Sequence, residues 1–407
     1  MQNQQSELIR GAIEAIDFDR VLQKIGDGVK LRIKHGWDPT APDLHLGYTV
    51  PYQVLKRFQD LGHTVILLVG DFTTSIGDPT DQDVTRPRLS KEVIDKNIEN
   101  GLRQIGKVLN VQTLEVRRNS EWFGGMNLSD FLGIASRVTA VRLWERDMFQ
   151  NRLKTGGTVW THEFLYPILQ AYDSVMLKSD LTVIGSDQIF NELLGRELQR
   201  AMHQEPQAIV AMPILPGTDG KRKMSQSLGN YIGIAESPDQ QFGKTMSVPD
   251  SALSVYLRLL TDIPESEILS LEKGMRSGAI NPRDVKARLG REIVARFYDS
   301  EAALEAEKRF SMIFSSRQTP EDMKECTVKP DSETGTIHVA DLLCQIGLAQ
   351  SKNEARRLVK QGAIKTDDSV INDPELRISI PQEGMVVSRA RKNFVRVRFS
   401  NGRKEEA

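Results

Sequence analysis

Apolar and polar positions change their rhythm several times along this chain. Residues 6–25 repeat with a helical period. From there, short apolar runs at 29–33, 64–69, 113–116, 181–184 and 208–212 alternate with amphipathic stretches of helical length. This alternation predicts a parallel sheet covered by helices on both faces. Sheets of that kind hold ligands at the carboxyl ends of their strands. Acids and glycines stand at those ends: Asp38 after the first run, Gly70-Asp71 after the second, Gly185-Ser186-Asp187 after the fourth. Their placement points to one cleft.

Beyond about residue 235 the strand signal stops. Val255, Leu257 and Leu260, then Val285, Leu289, Ile293, Val294 and Phe297, keep a helical period. A polar stretch with Pro320 and Pro330 reads as a linker. The last segment combines a short helix ending near Gly347, a basic helix with Lys352, Arg356, Arg357 and Lys360, and strands at 370–371, 385–387 and 394–397. The expected architecture is α/β: a doubly wound, Rossmann-like parallel-sheet domain over 1–235, an α-helical domain over 236–318, a linker over 319–336, and a small α+β domain over 337–407.

Composition narrows this only a little. A chain of 407 residues is too long for one core. Its 39% hydrophobic and 27% charged residues are ordinary for a globular protein. A net charge of −1 says nothing about nucleic acid, because only a local basic patch would matter. Two cysteines are too few for a disulfide framework and suggest no metal site. No apolar run is long enough to span a bilayer, and the polar, acid-containing first twenty or so residues do not read as a secretory signal. A cytoplasmic location is expected.

The candidate chemistry lies in two separated stretches. His45-Leu46-Gly47-Tyr48 precedes a predicted helix over 48–61, and Pro51 limits where that helix can start. A helix N-terminus attracts phosphate, and Gly47 lets a ligand approach the backbone. His45 and Thr40 can donate hydrogen bonds to phosphate oxygens. An ordinary strand–turn–helix joint would look similar. Far downstream, Lys223-Met224-Ser225-Gln226-Ser227 lies in a glycine-rich loop that could close over a triphosphate, although a solvated basic loop would also carry these residues.

Together, Asp38-Pro39-Thr40 with His45-Leu46-Gly47, and Lys223-Met224-Ser225-x-Ser227-Leu228-Gly229-Asn230, resemble the two signatures of class I aminoacyl-tRNA synthetases. Gly77-Asp78-Pro79-Thr80, Tyr166-Pro167-x-x-Gln170-Ala171-Tyr172-Asp173 and Gly185-Ser186-Asp187-Gln188 are similar to tyrosyl-tRNA synthetases of the bacterial type. The stretch 351–362 resembles an S4 RNA-binding domain. The resemblance covers nearly the whole chain. It implies ATP-dependent activation of L-tyrosine to an adenylate and transfer to tRNA(Tyr), with Mg2+ accompanying ATP and a homodimeric enzyme. Asp38, His45, Gly47, Gly185, Asp187, Lys223, Met224 and Ser225 would bind ATP, and Thr40, His45, Tyr48, Arg86, Lys223 and Gln226 would act on its phosphates. Asp78, Tyr166 and Gln170 would hold the amino group of tyrosine, and Gln188 would sit near its carboxyl. Asp173 would accept the phenol hydroxyl, with Lys34 where part of the family has a second phenol-contacting tyrosine. Rejection of phenylalanine by such a site is the standing example of discrimination through an unpaired buried polar group. Arg356, Arg357, Lys360, Arg389, Arg391 and Lys392 would meet RNA phosphates.

Four positions depart from the family pattern. Tyr48 replaces a histidine, Gln226 a lysine, Asp81-Gln82 a glycine and a lysine, and Ile184 a glycine. Most of these weaken the phosphate end of the site, where one preorganised donor is typically worth about 10²–10³ in rate. The alternatives are therefore a catalytically weakened paralogue that binds tRNA or another structured RNA, and an enzyme activating a tyrosine analogue.

Overall fold

The computed structural model describes residues 7–76, 89–315 and, within 323–399, all but 330, 332–333, 368, 382–383 and 390–392. The chain forms two compact units, Met1–Glu307 and Lys308–Ala407.

The first unit is built on a six-stranded sheet: β1 (Glu14–Ile16), β2 (Arg32–Trp37), β3 (Thr64–Val69), β4 (Glu115–Arg118), β5 (Leu181–Gly185) and β6 (Ala208–Met212), in the order β1-β6-β5-β2-β3-β4. Only β1 runs antiparallel to its neighbour. All five residues of β6 are buried, as are the last five of β3. A parallel sheet covered on both faces requires such apolar strands. From β2 the order proceeds to β3 and β4 on one side, then returns to β5 and β6 on the other. The β2/β5 junction is the point of reversal, where doubly wound sheets open a ligand crevice.

Two expectations are corrected here. The helical period over 6–25 is broken: Asp17 is left-handed (φ 53°), the helix runs only from Phe18 to Gly26, and Glu14–Ile16 joins the sheet edge beside β6. The first parallel strand begins three residues later than expected, because its middle carries Lys34 and His35, which mask the apolar pattern although both are buried.

The helices after residue 236 share the sheet's core, which runs without a break from Phe18 and Ile33 to Leu257, Leu289 and Phe297. Gln53 ties the two regions by donating to the Leu259 carbonyl at 2.8 Å. Gly290 lets the Pro282–Phe297 helix lie against the Phe242 ring, 2.8 Å from where a Cβ would sit.

The second unit has a sheet in the order β10-β9-β12-β13-β7, made of β7 (Lys324–Val328), β9 (Ile364–Thr366), β10 (Ser369–Val370), β12 (Met385–Arg389) and β13 (Asn393–Phe399). A two-stranded sheet pairs β8 (Ile337–His338) with β11 (Arg377–Ile378). Leu342, Leu343, Leu358 and Val359 of the Val339–Gln345 and Lys352–Lys360 helices share its core with Ile364, Val387 and Val397. Residues 324–328, expected within a linker, instead pair with β13 in parallel. Their polar composition suits an edge strand, which buries only Val328 fully.

Candidate functional site

His45 caps the Leu46–Asp60 helix, its Nδ1 accepting from the Gly47 N–H at 3.2 Å. The helix starts two residues earlier than expected, so Pro51 falls in its second turn. The segment before it is stitched to the chain after the second signature: Leu46 N–H donates to Ile232 O at 3.0 Å and Ile234 N–H to Leu44 O at 2.9 Å. Asn230 organises that second signature. Its amide donates to Lys223 O at 3.0 Å and Asp219 at 3.1 Å, and accepts from Ser225 N–H at 2.9 Å. Gly217 must be glycine, since a Cβ there would lie 2.2 Å from the Asn230 amide.

The two stretches, 178 residues apart from His45 to Lys223, thus line one cavity of about 860 Å³, together with Thr40, Gly47, Tyr48, Met224 and Ser225. Gln226 turns elsewhere, donating to the Asp43 carbonyl at 2.6 Å. Burial, with the Lys223 charge nearby, depresses the His45 pKa to about 4. The ring is therefore neutral at pH 7, and with Nδ1 accepting, the proton sits on Nε2.

The same cavity continues between β2, β5 and the Thr161–Leu177 helix, where it meets Lys34, Asp38, Tyr166, Gln170, Asp173, Gly185, Asp187, Gln188 and Ile184. Tyr166 donates its hydroxyl to Asp38 at 2.7 Å, and Thr73 donates to the other oxygen at 2.9 Å. Asp173, 3% exposed, accepts from the Trp122 indole at 2.9 Å. Burial pushes its carboxyl well above the usual range, against the opposing charge of Lys34. Lys34 is held by Glu192 at 2.8 and 3.0 Å and by Ser174 at 2.8 Å. Asn191 bridges Gln170 at 2.7 Å and Gln188 at 3.0 Å. Asp78 and Arg86 lie outside the described residues.

The family of tRNA synthetases class I (W and Y) matches residues 27–315, and the S4 domain family matches 339–387. The tyrosine–tRNA ligase of Moorella thermoacetica is 45% identical over 394 residues, covering 96% of this chain and 94% of the relative. That of Thermotoga maritima is 43% identical, covering 96% of each. The chain belongs to the class I tyrosyl-tRNA synthetases. Its fold agrees: the Archaeoglobus fulgidus tyrosyl-tRNA synthetase complexed with L-tyrosine superposes with a TM-score of 0.61 at 22% identity, over 75% of this chain and 99% of that one. Members of this class consume ATP as a substrate. No helix among the described residues is long and apolar enough to cross a membrane.

In the S4 unit, Arg356, Arg357 and Lys360 are exposed on the Lys352–Lys360 helix, and Arg356 also meets Glu375 at 3.0 Å. Arg389 is spent internally, donating to Leu348 O at 2.9 Å with Glu354 at 3.3 Å. Arg391 and Lys392 lie outside the described residues. Sequence reading missed Thr73, Asn191 and Glu192. The first falls outside the quoted motifs, and the other two follow Gln188 by three and four residues, within reach of a motif-based search that continued along the helix.

Proposed function

We propose that this chain activates L-tyrosine with ATP and transfers it to tRNA(Tyr). The observation that carries this reading is the single cavity joining His45, Gly47 and Lys223 to Tyr166, Gln170 and Asp173. A tyrosine carboxylate oxygen attacks the α-phosphorus, a C–O–P bond forms, and pyrophosphate leaves. A terminal hydroxyl of tRNA then attacks the acyl carbon and releases AMP. Neutral His45 donates from Nε2 to phosphate oxygens as charge builds, Lys223 balances the departing pyrophosphate, and the Gly47 approach brings the helix N-terminus close. Asp173 accepts the phenol hydroxyl, and Gln170 with Tyr166 and Asp38 faces the amino group. Mg2+ would accompany the phosphates of the incoming nucleotide. A cytoplasmic site of action belongs to the same reading, since tRNA is the acceptor. A second copy of the chain is the proposed partner, supported by the apolar Leu128, Leu132, Val141 and Trp144 exposed on neighbouring short helices.

Tyrosine-dependent exchange of pyrophosphate into ATP is the test. The parent chain should exchange with tyrosine, and Asp173→Asn, which can still accept from Trp122, should lose nearly all of it. Undiminished exchange in that variant would remove Asp173 from the site. Exchange with a tyrosine analogue alone would move the chain to another substrate.

A further inference from the structure

The floor of the amino-acid end holds three ionisable groups buried together: Asp173, Glu192 and Lys34, exposed 3, 2 and 1%. With two carboxylates and one ammonium, only one acid can be paired. Glu192 takes the lysine on both oxygens, at 2.8 and 3.0 Å. Its remaining capacity is filled by Gln170 Nε2 at 2.9 Å and Gln207 Nε2 at 2.7 Å. Lys34 is anchored on Ser174, the residue next to Asp173. Asp173 receives the Trp122 indole and the Asn119 side chain, and its two carboxylate oxygens still keep lone pairs for a further donor.

We infer that Glu192 is a positioning and specificity-determining residue: by capturing Lys34 it leaves Asp173 open to the phenol hydroxyl, and by accepting from Gln170 it sets which way that amide points. Without the Glu192 charge, the buried ammonium has Asp173 as a carboxylate within its electrostatic reach. Lys34 already acts on Asp173 electrostatically, and a buried charge that loses its partner seeks another. A lysine–Asp173 pair would compete with tyrosine for the acceptor and remove the reason to reject phenylalanine. The orientation of Gln170 has the same origin. Glu192 can only accept, so Gln170 must present Nε2 to it and Oε1 to the Asn191 amide at 2.7 Å. This inference rests on the tyrosine reading of the cavity.

The test compares Glu192→Gln, which keeps the shape and removes the charge, with Lys34→Met/Glu192→Leu, which removes the pair together. In Glu192→Gln the KM for tyrosine should rise roughly 10- to 100-fold, the scale of a hydrogen bond to a charged group. The preference for tyrosine over phenylalanine in kcat/KM should shrink, with kcat and the KM for ATP changing much less. The double variant, with no ammonium left to compete, should discriminate better than Glu192→Gln. An unchanged tyrosine KM and preference in folded Glu192→Gln would overturn the inference. So would a double variant as undiscriminating as the single one. If Glu192→Gln fails to fold, the double variant is compared with the parent chain, and a tyrosine-over-phenylalanine preference well below the parent's, with no ammonium left to compete, would overturn the inference. Full activity in Asp173→Asn, by contrast, would refute the underlying site reading and not the Glu192 step alone.

Discussion

A buried histidine, His35, and a half-buried one, His45, flank the cleft at the residue scale. His35 donates from Nδ1 to the Val183 carbonyl at 2.7 Å, and burial takes its pKa to about 4, as it does for His45. Both lie below the ordinary 6.5, so each stays neutral in the folded protein and binds a proton more readily once unfolded. Their contribution is complete above pH 6.5 and is lost as pH falls toward 4, by at most about 3 kcal/mol per histidine. Thermal unfolding followed from pH 7 to 4.5 should show this, and His35→Gln should flatten the profile; an identical slope in the variant would remove His35 from the account. The site residues legible in the sequence were those inside quoted motifs, such as His45 and Asp173. Glu192 was not, because a lone acid on an amphipathic helix looks solvated until the fold buries it against Lys34.

At the scale of elements, the second signature loop is held by Asn230 beneath it and by the Gln226 amide on Asp43. A lysine at 226 would supply a cation, where glutamine supplies only a neutral donor. Tyr48 packs its ring 4.6 Å from the His45 ring and offers one hydroxyl donor. Tyr48→His combined with Gln226→Lys should therefore raise the pyrophosphate-exchange rate, up to about the 10²–10³-fold that one preorganised donor is worth. No gain would mean that the present loop already compensates. Element type was legible wherever apolar runs were continuous, as in β3 and β6. It failed over 6–25, where a left-handed Asp17 and the free edge of β6 convert helical periodicity into strand, turn and helix.

For the whole molecule, the boundary of the second unit decides how it can be removed. Strand β7 pairs with β13, so a cut after residue 335 would strip the S4 unit of its partner and leave Lys324–Val328 exposed. A chain ending at Ser315, where the synthetase family match also ends, removes β7 together with the rest of its sheet. It should keep adenylate formation and lose tRNA affinity, and the full chain's binding should fall with salt as phosphate contacts from Arg356, Arg357 and Lys360 are screened. Equal tRNA binding by the two chains would refute an RNA role for this unit.

The sequence by itself determined the alternation of strands and helices, the helix N-terminus behind His45, and the polar residues of the quoted motifs. These depend on local periodicity and on residue types whose chemistry is the same wherever they sit. Only the tertiary structure decided which of them meet. Burial converted Lys34 and Glu192 from two separate charges into a pair, because a charge removed from water must find its opposite. The same packing fixed the site of β7 and the shared core of the sheet and its following helices, since such pairings join residues far apart in the chain.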